Sequence, residues 1–236
     1  MSGLPSSRHR FALVLALSLL IAAGLITASE LSAGKTGTET GREPAPPATD
    51  RLLAGIPQRG AALGSPTAPL TLVEYADLQC PYCGHWAQAT LPVLVDRYVR
   101  SGRLRIVFNG MAFVGPDSNK GLLTALAAGR HGHLWDLVHG LYERQGAENS
   151  GWVSDGLIEE IAAGVPGLDG GRLLEERWDD RVGHELSAAA ARAQQAGITQ
   201  TPSFQLGPTG DTLERVDVSS LEPDGIVPQI EEALAR

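Results

Sequence analysis

The chain has 236 residues, a formal net charge of −8 and a near-average hydrophobic content of 43%, which is the composition of a soluble acidic domain. No long Lys/Arg cluster is present that would neutralise phosphates, so nucleic acid is excluded as an expected partner. We expect one folded domain with appendages.

The N-terminal segment has a different composition from the rest of the chain. Arg8, His9 and Arg10 precede an uncharged apolar run from Phe11 to Ala28, which as a helix would span roughly 27 Å. This pattern predicts a transmembrane anchor or a signal peptide over residues 11–28, and the length of the run favours the anchor. The positive-inside bias puts the N-terminal ten residues in the cytoplasm and everything after Ala28 outside it.

The next segment, residues 29–50, is rich in Gly, Thr, Pro, Ser and Ala and has almost nothing to bury. This composition predicts a flexible linker that holds the folded domain away from the membrane. The folded domain is predicted to occupy residues 51–236.

The folded domain opens with the pattern of a β-α-β unit. Residues 69–76 form a short apolar run between Pro and Asp, which predicts a buried strand. After a turn at residues 77–81, apolar residues recur at helical spacing, and Pro92 is expected to kink or break this helix. Residues 103–108 are predicted to be the parallel strand that closes the unit by a right-handed crossover.

A helical insertion is predicted from about residue 117 to residue 196, and it is expected to cap the active site and contribute to the substrate groove. The five helical patterns cover Leu122 to Arg130, Leu134 to Arg144, Ser154 to Ala163, Gly171 to Val182 and His184 to Ala196.

Strand character returns after the insertion. Ser203 to Leu206 and Thr212 to Val216 are predicted to form a hairpin, and the residues from Pro223 onwards a final amphipathic helix. The predicted fold class is therefore α/β. Three tryptophans are expected to lie in the helical core without a function: Trp135, Trp152 and Trp178.

The sequence Cys80-Pro81-Tyr82-Cys83 falls at the predicted junction between strand and helix. Free N–H groups and the helix dipole favour a thiolate at the first sulfur, so Cys80 is the predicted nucleophile. Cys83 should face the interior, stay protonated longer and attack a mixed disulfide formed by Cys80. Pro81 and Tyr82 are expected to tune the redox poise and to contact substrate.

Other readings of the cysteine pair fit less well. An inert buried pair stays open, but zinc requires three or four protein ligands, no second C-x-x-C is present, and the insertion's histidines (His131, His133 and His139) are expected to be solvated. Haem attachment requires His directly after the second Cys, where Gly84 stands. A copper carrier would have only Met1 and Met111 to help. We expect no metal and no cofactor.

The motif Cys80-Pro-Tyr-Cys83 after Leu72-Val-Glu-Tyr-Ala-Asp77, the long helical insert and Thr201-Pro202 before a strand resemble the bacterial DsbA-like thiol-disulfide oxidoreductases of the thioredoxin superfamily. The resemblance covers roughly residues 51–236 and implies a thioredoxin-like fold. It also implies that the peptide bond before Pro202 is cis and lies against the active-site disulfide, in the groove that receives substrate backbone.

Two further residues have two readings each. Glu74 lies in an otherwise apolar strand, where the resemblance implies a buried acid that relays a proton for Cys83, and where an uncompensated charge would be costly. The alternative is an edge position at which Glu74 faces water. His85 either stabilises the Cys80 thiolate or is an exposed residue of the first helical turn, and the second reading is favoured.

The expected function is donation of disulfides to exported proteins outside the cytoplasm, with a membrane redox partner. The expected location is the cell membrane, with a single span, or the periplasm or exterior after cleavage. Thr201 before Pro202 accompanies isomerases or reductases among related proteins, so that direction is the alternative. From a different class, the domain could be a non-catalytic chaperone that holds unfolded chains in the groove around Pro202.

Overall fold

The computed structural model describes residues 52–236. The expectations for residues 1–10, 11–28 and 29–50 lie outside the described residues. Among the helices of residues 52–236, none has the length and apolar character needed to cross a bilayer.

The centre of the domain is a six-stranded mixed sheet. Its strands are β1 (Gln58–Arg59), β2 (Ala62–Leu63), β3 (Leu70–Asp77), β4 (Leu104–Met111), β5 (Ser203–Pro208) and β6 (Glu214–Val216). Their order across the sheet is β1-β2-β4-β3-β5-β6. The strand that leads to the cysteine pair, β3, is therefore central, and its almost continuous burial explains its apolar sequence.

Pairing around β3 defines the core of the fold. β3 and β4 are parallel from Leu70 opposite Leu104 to Asp77 opposite Met111, as the predicted β-α-β unit requires. β5 is antiparallel to β3, and β6 is antiparallel to β5. This arrangement of strands confirms the thioredoxin-like α/β fold.

The helical path that joins β3 to β4 has three parts: α1 (Pro81–Ala89), α2 (Leu91–Leu94) and a π-helical turn at Val95–Val99. The interruption falls at Thr90, two residues before Pro92. The path continues through it, because Thr90 N–H donates to Trp86 O at 2.9 Å and Leu94 N–H donates to Thr90 O at 3.1 Å.

Five helices separate β4 from β5: α3 (Pro116–Arg130), α4 (Leu134–Glu143), α5 (Asp155–Ala163), α6 (Gly170–Glu176) and α7 (Asp180–Gln195). The predicted break between the last two, near Val182, was wrong. The chain leaves helical geometry at Asp179, which has an extended backbone and whose carboxylate accepts from Arg130 Nη1 at 2.6 Å. After β6, a short 3₁₀ turn at Pro223–Gly225 leads to the last helix, α8 (Val227–Ala235).

Two expectations about side-chain burial were wrong. His139 is buried rather than solvated, because α4 presents it to the interior beside Leu137 and Val138. Trp178 is 68% exposed rather than part of the core, because it lies in the break between α6 and α7. The Arg177 guanidinium lies 5.1 Å from the centre of its ring.

Candidate active site

The cysteine motif lies at the N-terminus of α1, directly after β3. Cys80 is the N-cap residue, and Pro81, which has no N–H to satisfy, is the first helical residue. The Cys80 N–H donates to Asp77 O at 3.0 Å, and the Cys80 carbonyl accepts the first helical hydrogen bond from Gly84 N–H at 3.1 Å. Both backbone groups of Cys80 are therefore held by the turn and the helix.

The two thiols are not joined by a disulfide, and their environments push their pKa values in opposite directions. Hydrogen bonds from the Cys83 thiol, the Thr201 hydroxyl and the Cys83 and Tyr82 N–H groups lower the pKa of Cys80 to about 6. Burial above all, and then the neighbouring Cys80 sulfur, raise the pKa of Cys83 far above its usual range. The first sulfur is thus the one that ionises near neutral pH.

The loop before β5 faces the first sulfur. The Thr201-Pro202 peptide bond is cis. The Cys80 thiol donates to the Thr201 carbonyl at 3.4 Å, so this loop and the N-terminus of α1 are in direct contact. Thr201 and Pro202 are both half-buried, which leaves part of this contact open to a second chain.

Glu74 points toward α1 rather than toward water. Its register partners in the flanking strands are Phe108 and Phe204, and side chains of paired residues share one face of a sheet. Trp86 of α1 packs on Phe204 with ring centroids 5.0 Å apart, which identifies this face as the one that α1 covers. Glu74 is 1% exposed, and this excludes the reading in which it stands at a wet edge.

The burial of Glu74 has an electrostatic consequence. Desolvation raises the pKa of its carboxyl group to about 8, and its Oε1 atom has no hydrogen-bond partner among the described residues. Its charge also contributes to the raised pKa of Cys83. A mostly protonated acid therefore lies close to the buried sulfur.

The remaining residues named from the sequence lie on the surface of the motif. Tyr82 is 65% exposed, and Pro81 is exposed as well. His85 is also exposed, and its Nε2 lies 2.8 Å from the Glu222 carboxylate. The reading of His85 as an exposed residue of the first turn therefore describes its position.

The structure adds Asp77, which the sequence analysis had treated only as part of a turn. The buried carboxylate accepts hydrogen bonds from Gln79 N–H at 2.8 Å and Ser118 Oγ at 2.6 Å. It also accepts from Phe113 N–H at 2.7 Å and Val114 N–H at 3.0 Å. One side chain thus joins the redox turn to the loop before α3, in which the Phe113 side chain is 52% exposed.

Gln79, the residue before the first cysteine, makes a second connection to the insertion. Its amide nitrogen donates to Ser118 Oγ at 2.9 Å and Asn149 Oδ1 at 3.1 Å, and its Oε1 accepts from Asn149 N–H at 2.6 Å. An Asp at the end of an apolar strand is a sequence signal that could have indicated the first connection, although it was not used as one. No local pattern marks the second.

The arrangement has a definite chemical capacity. A thiolate that forms near neutral pH can attack a disulfide, or its oxidised form can be attacked by a substrate thiolate. A second thiol within the same helical turn can close the exchange intramolecularly, and a buried protonated acid can exchange a proton with it.

Comparison with known proteins gives three kinds of similarity. A family model described as thioredoxin matches residues 58–210. The probable disulfide bond formation protein D of Bacillus cereus is 26% identical over 145 residues, which cover 60% of this chain and 67% of that protein.

Solved structures resemble the fold over most of its length. Oxidised BdbD from Bacillus subtilis superposes with a TM-score of 0.65 at 22% identity and covers 77% of this chain and 98% of that one. A thioredoxin-like oxidoreductase from Silicibacter pomeroyi superposes with a TM-score of 0.58 at 26% identity, over 79% and 98% of the two chains.

Fold and similarities together define a thiol-disulfide oxidoreductase of DsbA-like architecture. The chain belongs to the thioredoxin family, whose model matches more than half of it. The resemblance inferred from the Cys-Pro-Tyr-Cys motif and its surroundings is thereby confirmed.

Proposed function

We propose that this protein donates disulfides to exported proteins through the Cys80–Cys83 pair. The observation that carries the proposal is the opposite shift of the two thiol pKa values, to about 6 for Cys80 and far upward for Cys83. Stabilisation of the Cys80 thiolate favours the reduced dithiol form of the pair over its disulfide form. The disulfide is therefore readily transferred to a substrate dithiol.

The proposed reaction begins with the oxidised pair. A substrate thiolate attacks the Cys80 sulfur, the Cys80–Cys83 bond breaks, and a mixed disulfide with Cys80 forms while Cys83 leaves as a thiolate. A second substrate thiolate then attacks the substrate sulfur of this mixed disulfide and releases the Cys80 thiolate. The substrate has lost two electrons, and the enzyme holds them as a dithiol.

Glu74 is the proposed proton donor for the leaving Cys83 thiolate. Its pKa, raised to about 8 by burial, keeps it mostly protonated at neutral pH, and its proximity to Cys83 is supported by the effect of its charge on that thiol. The carboxylate left after transfer would be buried and unpartnered, so it regains a proton from solvent before the next turnover.

Thr201 and Pro202 are proposed to receive the substrate backbone, and Pro81 and Tyr82 to contact its side chains. The hydrogen bond from Cys80 to the Thr201 carbonyl supports this assignment, because a substrate sulfur bound to Cys80 lies beside the same loop. The 65% exposure of Tyr82 supports an apolar contact with an unfolded chain.

The proposed location is outside the cytoplasm, and a membrane redox partner is proposed to remove the two electrons from the dithiol. The Bacillus cereus relative is named a probable disulfide bond formation protein, and this supports an exported site of action. The apolar segment at residues 11–28 supports attachment to the membrane by a single span.

The test is the redox equilibrium of the full-length chain, purified in detergent, against glutathione buffers. The Cys80–Cys83 disulfide is followed by thiol alkylation and mass. A potential of about −120 to −180 mV supports a disulfide donor, whereas a value near −270 mV identifies a reductase. Failure of the pair to form a disulfide would contradict the redox function itself and leave a binding module.

A further inference from the structure

The helical insertion contacts the redox turn through one glutamine that has no role so far. Gln145 follows α4, and its amide nitrogen donates to the carbonyl of Leu78 at 2.8 Å and to the carbonyl of Cys80 at 3.1 Å. These two carbonyls lie on either side of Gln79 in the turn between β3 and α1. A single side chain therefore spans the turn immediately before the proposed nucleophile.

The second of these contacts reaches the first turn of α1. The Cys80 carbonyl that accepts from Gln145 also accepts from Gly84 N–H at 3.1 Å. The N–H groups of Tyr82 and Cys83, in the same turn, face the Cys80 sulfur and lower its pKa. The orientation of these N–H groups depends on how firmly the turn is held.

The half-buried Gln145 side chain packs closely against the first turn of α1. A Cβ placed on Gly84 would lie 2.5 Å from Gln145 Oε1, so glycine is what allows the amide to approach α1 this closely. Three residues earlier, the buried Tyr142 hydroxyl donates to the Asp77 carbonyl at 3.2 Å. The end of α4 and the residues after it are thus fixed against both ends of the redox turn.

We propose that Gln145 is a positioning residue of the redox site, whose amide holds the carbonyls of Leu78 and Cys80 and so directs the first N–H groups of α1 at the Cys80 sulfur. The insertion then has a function beyond shaping a substrate groove, because it sets how well the site stabilises a thiolate. This inference rests on the proposed function in that it takes Cys80 as the nucleophile.

The test compares Gln145→Met with Gln88→Met in the full-length chain. Gln88 is a matched control, since its amide nitrogen also donates to a backbone carbonyl between α1 and α4, that of Tyr142 at 3.1 Å, but does not reach the redox turn. The thiolate of the reduced protein is titrated by its ultraviolet absorbance, and the equilibrium with glutathione is measured on the same samples.

We expect Gln145→Met to raise the midpoint of the Cys80 titration by about half a pH unit, which is a roughly threefold loss of thiolate at any pH well below the midpoint. A shift of this size is within the range expected for the loss of one hydrogen bond. The glutathione equilibrium should move by a similar factor toward a less oxidising pair. Gln88→Met should leave both values as in the wild type.

Equal values for the wild type and Gln145→Met, or equal shifts in the two variants, would overturn the positioning role. Circular dichroism establishes folding, and Gln145→Leu, which loses the donor and adds no charge, gives the same reading if the methionine variant does not fold. A wild-type pair that forms no disulfide would instead overturn the proposed function. The two failures are therefore distinguishable.

Discussion

Glu74 and Cys83 are both buried, and the carboxylate charge of the first adds to the burial that raises the thiol pKa of the second. Both groups are therefore held in their protonated forms at neutral pH, since desolvation also raises the pKa of Glu74 to about 8. Two buried anions at this place would repel each other in a medium that solvates neither. One proton passed between them avoids that state, which is the basis of the proposed relay.

Replacement of Glu74 by Gln should change how stability depends on pH. An acid whose pKa is about 8 in the folded chain and near 4.5 when unfolded binds its proton more tightly in the folded state, so stability is fully present below about pH 4.5 and falls as the pH rises toward 8. By pH 7 this loss is about 3 kcal/mol, and Glu74→Gln should not show it.

The measurement is denaturant unfolding between pH 4.5 and pH 8, about the window bounded by those two pKa values. A Cys80→Ser, Cys83→Ala background removes the titration of the thiols. Glu159→Gln, at an exposed position of α5, is the control and should follow the parent curve. A Glu74→Gln curve parallel to the parent curve would show that Glu74 titrates normally.

Replacement of Thr201 by Val should weaken the acidity of Cys80. The Thr201 hydroxyl donates a hydrogen bond to the Cys80 thiolate, and a valine methyl group cannot. Loss of this hydrogen bond should raise the Cys80 pKa above about 6. The rate of alkylation of the reduced protein as a function of pH gives the midpoint. Thr199→Val, an exposed position of the same loop, should keep the wild-type midpoint, and a shift of equal size in both variants would contradict the prediction.

The two cysteines should differ in what their loss does to covalent intermediates. Cys83→Ala leaves the nucleophile without its intramolecular competitor, so we expect mixed disulfides between Cys80 and substrate thiols to accumulate. Cys80→Ser should form none and should have no oxidase activity. The substrate is an unfolded chain that carries a disulfide, so that attack by the Cys80 thiolate forms the mixed disulfide and releases a substrate thiolate. Non-reducing electrophoresis and mass measurement after this incubation distinguish the two variants. Accumulation of adducts through Cys83 would reverse the assignment.

Replacement of Gly225 should disturb the packing of the segment between β6 and α8. This segment contacts the end of α1 through the hydrogen bond from Thr90 Oγ1 to Leu221 O at 2.6 Å. A Cβ at Gly225 would lie 2.1 Å from the backbone oxygen of Ser220, so Gly225→Ala should destabilise the fold by about 1–3 kcal/mol. Gly156→Ala, in a helix with open space around it, should stabilise by about 0.5–1 kcal/mol. Thermal unfolding of both variants gives the comparison.

Local patterns were sufficient to predict the centre of the sheet. The predicted strand at residues 69–76 is observed as Leu70–Asp77, because a strand that is buried on both faces shows in the sequence as a continuous apolar run. The closing strand continues to Met111, three residues past the predicted end, because Asn109 and Gly110 pair with β3 although they lack strand propensity. Pairing with β3, rather than local propensity, therefore determines where β4 ends.

Features that depend on distant residues were not predictable. The strands Gln58–Arg59 and Ala62–Leu63 are too short to show a period of two. The motif itself indicated the cysteines, but Gln145 reaches Cys80 across 65 positions, and nothing in its neighbourhood distinguishes it from a surface glutamine. Its role becomes visible only when the insertion is folded against the turn.

The sheet ends in a two-residue strand on one side and a three-residue strand on the other. Long unpaired edges recruit extended polypeptide by continuing the ladder of backbone hydrogen bonds. In the proposed function the substrates are unfolded chains, and a long unpaired edge would bind their backbones. The short edges of this sheet bear the exposed residues Arg59, Glu214 and Arg215. They offer such chains few unpaired backbone groups and place charged side chains beside them.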